Sequence, residues 1–427
     1  MKKFTRIMLA MAACAAAPAA VAVTPHYADT LLIPQRAIVL SGEITPENKD
    51  QVAILYSRED LSYNDPGAPR FLFLDREGRG ALGIGGAVNA VAMYDMNGAI
   101  DNEGFVTYDI PTPASPAMRN RFGADATNTS IFLKLVTKQT RIGRVTVYVQ
   151  TNFTGNNGNY GLKLKQAYVS VGGFLIGKGR STFADAAAEA PTVDNEGPSG
   201  QVGAKNMMFQ YKTPSYKGLS GAISVELPEA DYTLAPQTDA ISQRFPDIPL
   251  YVQYAWGGDS HIRASALLRE LSYRDLLNGK NHFATGWGVQ FSSVANIGAG
   301  MELFGHATYG HGIAAYVNDL GGNGYDLVPD GTGKLQAPGT FAWTAGLSYQ
   351  PIKPLLLSAC YSQARAYDLG YMAADSYRYG QYAAFTAFYN VGPDLQFGLE
   401  YLWGRRNDIG GTSGHANRLE ASIQYNF

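Results

Sequence analysis

The sequence predicts an all-β fold, a closed antiparallel barrel that crosses a membrane with its strands. Three observations predict it. Only 16% of the 427 residues are charged, while 46% are hydrophobic and 12% aromatic, against about 25% charged in soluble domains. No stretch beyond the N-terminus has the roughly 18 consecutive apolar residues of a transmembrane helix. Segments of about ten residues instead alternate apolar with polar between turns, and a closed barrel is the other architecture that pairs every backbone group in lipid. Mean hydropathy is −0.14 and formal charge −2, so the apolar residues are dispersed. That balance disfavours nucleic acid, whose phosphates call for a basic surplus.

Residues 1–22 read as an export signal. Lys2, Lys3 and Arg6 precede the apolar, Ala-rich run Ile7 to Ala20, and Ala20-Val21-Ala22 supplies the small-residue cleavage pattern. The spacing around Cys14 fits a lipoprotein acylation site poorly. Cleavage leaves Cys360 alone, so stability is expected from sheet and core rather than from a disulfide. Residues 23–70 form a short N-terminal periplasmic segment in which Thr45 to Asp50 caps a helix or makes a turn. Residues 71–427 form the barrel, with strands beginning near Gly78 to Tyr94. There Ala81, Gly83, Gly85, Ala87, Asn89 and Val91 face one way.

The clearest strands follow. Val145, Val147, Val149 and Phe153 alternate with Thr146, Tyr148, Gln150 and Asn152, and Leu162 and Leu164 alternate with Lys163 and Lys165. Ile131, Leu133 and Leu135 oppose Phe132, Lys134 and Val136. Ile262, Ala264, Ala266 and Leu268 oppose His261, Arg263, Ser265, Leu267 and Arg269. Period two fits these runs and period 3.6 does not. The chain closes on Leu419, Ala421, Ile423, Tyr425 and Phe427 at alternate positions, a terminal aromatic strand of the kind read as an outer-membrane assembly signal. About 350 residues, with ten-residue strands and alternating short and long connections, accommodate roughly 14 to 18 strands, of which sixteen is the number expected. Trp256 and Trp403 suit the aromatic girdle of such a barrel.

Several motifs resemble the DcaP-like outer-membrane porins. They are Leu175 to Asp185, containing Arg180-Ser181-Thr182-Phe183-Ala184-Asp185, then Leu162 to Tyr168, Arg244 to Pro249, His261 to Arg269, Gly286 to Val289, Tyr309 to Ile313 and Asn417 to Phe427. The likeness extends from Arg76 to Phe427 and is to a shorter, Bacteroidetes-like type without the long N-terminal coiled coil. It implies a homotrimeric, 16-stranded Gram-negative outer-membrane channel for small hydrophilic solutes, dicarboxylates among them. The sequence departs from the family at Lys163 and Lys165, where arginines are frequent, and at Lys178-Gly179, which replaces a polar-aromatic pair. Lysine keeps the charge but lacks the fork that grips a carboxylate bidentately.

In a large barrel, alternate side chains face lipid or a water-filled lumen, and lumen charge concentrates ions of opposite sign. Lys134, Lys163, Lys165, Arg263 and Arg269 lie opposite apolar runs and are expected inside; Lys178 and Arg180 join them, although the glycines around them define no lipid face. Acids such as Glu226 or Glu270 are possible partners that would leave these cations little role in selectivity. The expected partners are small hydrophilic solutes, anions among them, the bilayer, two further copies of the chain and the barrel assembly machinery, which would read Tyr425 and Phe427. No phosphate loop, nucleophile elbow or metal-ligand spacing stands out, so no cofactor, metal or catalytic residue is assigned. His306 and His311 are five apart and face opposite sides of a strand. An outer-membrane hydrolase and a secreted β-rich binding protein stay open as alternatives. Residues 184–203, 319–338 and 366–379 are candidates to fold into the pore.

Overall fold

The computed structural model describes residues 37–57, 61–66, 68–98, 104–116, 119–155, 160–257 and 260–427. The predicted export signal lies outside the described residues. Sixteen antiparallel strands among them form one ring. In chain order these are β1 (Gly80–Asn97), β2 (Ser130–Thr137), β3 (Val145–Gly155), β4 (Gly161–Val171), β5 (Phe174–Arg180), β6 (Lys205–Lys212), β7 (Leu219–Glu226) and β8 (Ile248–Trp256). They continue as β9 (Ser260–Asp275), β10 (Lys280–Gly298), β11 (Met301–His311), β12 (Gly339–Ile352), β13 (Leu355–Ala366), β14 (Tyr377–Val391), β15 (Leu395–Asp408) and β16 (Ser413–Asn426). Each pairs with the next, and β16 returns to β1, with Asn426 opposite Ala87 and Asn417 opposite Asn97.

Two-faced strands produce this ring because a side-chain period of two sends alternate residues to lipid and to the lumen. On β9, Ile262 and Leu268 are exposed on the outer wall, whereas His261, Ser265, Leu267 and Arg269 are buried inside. Inner polar groups meet across strands. Gln166 Nε2 donates to Gln150 Oε1 at 2.9 Å, and Gln290 Nε2 donates to Thr308 Oγ1 at 3.0 Å. His306 is buried inside, while the ring of His311 lies against Trp287 and Tyr309. Trp256, at the end of β8, is exposed and stacks on Tyr254.

The closing seam continues through Phe427, whose N–H donates to the Gly86 carbonyl at 2.9 Å while Gly86 N–H donates back at 2.8 Å. A Cβ at Gly86 would lie 2.7 Å from the Phe427 ring. Glycine there lets the aromatic ring lie over the strand.

Ahead of β1, Ile38–Ser41 pairs in parallel with Phe71–Leu74, which pairs antiparallel with β1 at Ala81–Ile84. Phe71–Leu74 thus flanks the ring, which begins at Gly80. The Thr45 to Asp50 stretch leads into helix α1 (Lys49–Leu55). Val52 and Leu55 pack with Leu72, Leu74, Ala81 and Val136, joining the N-terminal segment to the lower inner wall.

Connections are short at this end of the ring, as at residues 172–173, 299–300 and 353–354, and mostly longer at the other, as at 181–204, 227–247 and 312–338. Residues 181–204 and 312–338 are largely buried inside the barrel, whereas 367–376 is largely exposed. Arg269 of β9 pins the second of these loops. Its side chain lies 3.2 Å from Asp247 and 3.1 Å from Asp326. It also donates to the carbonyls of Gly312 at 2.9 Å and Glu229 at 2.6 Å, and it faces the Tyr316 ring at 5.0 Å.

Arg269→Met should leave Asp247 and Asp326 buried without their counter-charge. We expect a loss of about 3–5 kcal/mol, read as a lower urea midpoint of the folded barrel and faster proteolysis within residues 312–338.

Candidate functional site

The loop over residues 181–204 leaves β5, lies across the lumen and returns to β6, and buried bonds to several strands hold it there. Thr182 N–H donates to Glu226 of β7 at 2.9 Å. The N–H groups of Val193 and Asp194 donate to Glu400 of β15 at 2.9 and 2.8 Å. Gly200 N–H donates to Ser362 Oγ of β13 at 2.8 Å, and its carbonyl lies 2.9 Å from His306 Nε2 of β11.

Asp185 is the fourth anchor. Its Oδ2 accepts Ser292 Oγ–H at 2.5 Å and lies 2.9 Å from His261 Nε2. Arg263 approaches Asp185 Oδ1 at 3.6 Å, donates to the Ala184 carbonyl at 3.0 Å and lies over the Tyr251 ring at 4.2 Å. Burial alone would raise the Asp185 carboxyl, but Arg263, His261 and Ser292 hold it well below the usual carboxylate range. The aspartate stands between serine and histidine, so this histidine is not placed to take the serine proton as a hydrolytic relay requires. The trio ties the loop to the wall.

Between that loop and the β3 to β6 wall lies a cavity of about 380 Å³. Lys163, Lys165, Lys178, Arg180 and Lys205 line it together, with Asp65, Glu189, Glu196 and Glu229 as the acids of the same lining. Two local features gather the cations. Gln150 opposes Gln166 while Thr151 opposes Leu164, so Lys165 is the extra residue of a bulge. Strict alternation would send Gln166 outward after Lys165; the bulge lets both belong to the inner wall. Beyond Lys178 the β4–β5 ladder stops, and Gly177, at φ +140°, adopts a conformation that side chains resist.

The charges within the cavity are unevenly matched. Arg180 pairs with Glu189 and with Asp65, the latter at 3.4 Å, and Lys205 lies 3.8 Å from Asp65. Lys163, Lys165 and Lys178 have no ion-pair partner within 4.0 Å among the described residues. Glu196, on the constricting loop, lines the same cavity. Burial and the neighbouring Asp194 push its carboxyl up to about 7, against the pull of Lys165 and Lys163. Burial would also raise Asp65, but Lys205, Arg180 and the Ser62 N–H outweigh it and hold that carboxyl at about 2.

Of the seven cations expected to line the pore, four meet in this cavity. Arg263 serves as the loop anchor and Arg269 lies 1% exposed in its ion pairs. Lys134 faces inward lower on the wall, where its Nζ donates to the Ser57 carbonyl at 3.1 Å. Sequence reasoning missed Lys205 at the start of β6, because Asn206 and Lys205 follow a loop and show no alternation of their own. It also missed Asp65 and Glu189; the acids it weighed, Glu226 and Glu270, are not those paired with the cavity cations. No metal-binding cluster of His, Cys, Asp or Glu occurs among the described residues.

The family model described as the porin subfamily matches residues 103–424. No curated protein matches the chain. Among solved structures, the outer membrane channel DcaP of Acinetobacter baumannii superposes with a TM-score of 0.72 at 20% identity, covering 83% of this chain and 99% of that one. OmpT of Vibrio cholerae gives 0.53 at 11% identity over 82% and 98%. The anion-selective porin of Comamonas acidovorans gives 0.52 at 13% identity over 82% and 100%. At these identities the likeness is one of fold. With a family match over most of its length and a closed, loop-constricted barrel, the chain belongs to the porin family and forms a channel in the outer membrane of a Gram-negative bacterium.

Proposed function

We propose that the channel passes small hydrophilic solutes by passive diffusion and favours anions, dicarboxylates among them. The observation that carries this is the cavity wall, where Lys163, Lys165 and Lys178 project toward the passage without an ion-pair partner among the described residues. Fixed positive charge beside a narrow aqueous path raises the local concentration of anions and lowers that of cations. The anion-selective character of the Comamonas porin and the likeness to the DcaP-like group support the reading. Three lysines grip a carboxylate less specifically than arginines would, which suits passage over retention. The contacts around Asp185 hold a loop in place and favour a channel over a hydrolase. We further propose that the working unit is a homotrimer, that the N-terminal segment, residues 23–70, enters from the periplasmic end, and that the barrel assembly machinery reads the last strand through Tyr425 and Phe427.

In a planar bilayer under a salt gradient, the Lys163→Gln, Lys165→Gln, Lys178→Gln triple variant should lower the anion-to-cation permeability ratio by about threefold or more. An unchanged reversal potential from folded protein would overturn the anion reading. Glu196 keeps its proton below about pH 7 and carries a negative charge above it. Lowering the pH from 8 to 6 should therefore raise anion preference, and Glu196→Gln should reduce that change. Deleting Phe427 should reduce the heat-modifiable, membrane-inserted form in cells; normal assembly of the truncated chain would count against the terminal-strand reading.

A further inference from the structure

The N-terminal segment does more than flank the ring. Ser62, Tyr63, Asn64 and Asp65 line the same cavity as the lysines. Tyr63 reaches one wall, where its ring lies 5.0 Å from Phe388 of β14 and its hydroxyl accepts Gln396 Nε2 of β15 at 3.1 Å. The ring also packs on the cluster of Val91, Val193 and Phe388, which includes one residue of the constricting loop. Two residues on, Asp65 reaches Arg180 of β5 and Lys205 of β6, on the other side of the sixteen-strand ring. Asp65 Oδ2 is further held by the Ser62 N–H at 2.9 Å and the Ser62 hydroxyl at 3.1 Å. Arg70, just after this stretch, pairs with Asp394 at 2.7 Å, in the connection between β14 and β15.

We propose that Asp65 is a selectivity-determining residue of the pore: the N-terminal segment carries a carboxylate into the lumen and sets it against Arg180 and Lys205. There it lowers the positive charge felt by a permeating anion and narrows the passage. The inference rests on the reading of this cavity as the ion path. A carboxylate between a guanidinium and an ammonium stands where the carboxylate of a solute would bind, so Asp65 acts as a built-in competitor for that place. Glu189 contributes a second charge to Arg180 from the constricting loop, whereas Lys205 has Asp65 as its one ion-pair partner among the described residues. Removing the Asp65 charge therefore leaves Lys205 without an ion-pair partner among the described residues and Arg180 with Glu189 alone.

The test uses the full-length folded channel in planar bilayers under a potassium chloride gradient, with heat-modifiable mobility as the criterion of folding. Asp65→Asn should raise the anion-to-cation permeability ratio by about twofold or more and increase unitary conductance. Asp65→Glu, which keeps the charge, should stay near the wild-type ratio, a rescue that a purely structural role does not explain. A folded Asp65→Asn channel with the wild-type ratio and conductance would overturn the proposal. The lysine triple variant, measured alongside, separates the two readings: if it shifts the ratio while Asp65→Asn does not, the anion reading stands and the role of Asp65 falls. Where Asp65→Asn yields no folded barrel, Tyr63→Ala, which frees the opposite end of the stretch, supplies the decision. Higher conductance supports the proposal and unchanged conductance overturns it.

Discussion

The pairing of β16 with β1 is the constraint on which the rest of the molecule depends. In hydrocarbon an unpaired strand edge leaves backbone groups unsatisfied, each at several kcal/mol, and the ladder joining Ala87–Asn97 to Asn417–Asn426 removes both edges. Once the ring is closed, each strand must present one face to lipid and one to the lumen. The apolar outer residues and the polar, cross-linked inner ones follow from that requirement. A sixteen-strand ring is too wide for its inner side chains to fill. The space is narrowed by chain from the connections, and that chain must find partners for its own polar groups.

Those partners are supplied by charged residues of the inner wall. Glu226, Glu400, Arg263 and Arg269 each point into the barrel and are each consumed in holding a loop. The wall therefore has two kinds of charge. One kind is buried against loop backbone and carboxylates and fixes geometry; the other, around Lys163, Lys165 and Lys178, borders the cavity and acts on what passes. Strand alternation places both kinds inside and does not tell them apart, because the difference lies in whether a loop returns to cover the side chain.

This explains how much was legible beforehand. Alternation in β3, β9 and β16 gave the inner and outer faces residue by residue, and charge opposite apolar runs marked Lys134, Lys163, Arg263 and Arg269 as inward. Lys165 also lies inside, yet through a bulge, so the inner set resumes at Gln166 and a strict two-residue count would have turned that residue to lipid. The arrangement of Asp65 with Arg180 and Lys205 had no local signature at all. Its members come from the N-terminal segment and from two strands on either side of a long loop; the β5–β6 ladder sets Arg180 opposite Lys205, and Asp65 joins them only in the folded lumen.

The constricting loop also has a mechanical consequence. Thr182, Asp185, Val193, Asp194 and Gly200 are bonded to strands spread around the ring, from β7 to β15. Swinging the loop aside would break several buried bonds at once, each leaving an unsatisfied group behind. A span fastened at so many points behaves as a crossbar rather than a hinged door. Its aperture keeps a constant cross-section while a solute goes by, so the loop sorts traffic as a rigid sieve, and any change in bore has to come from an element tied down more lightly.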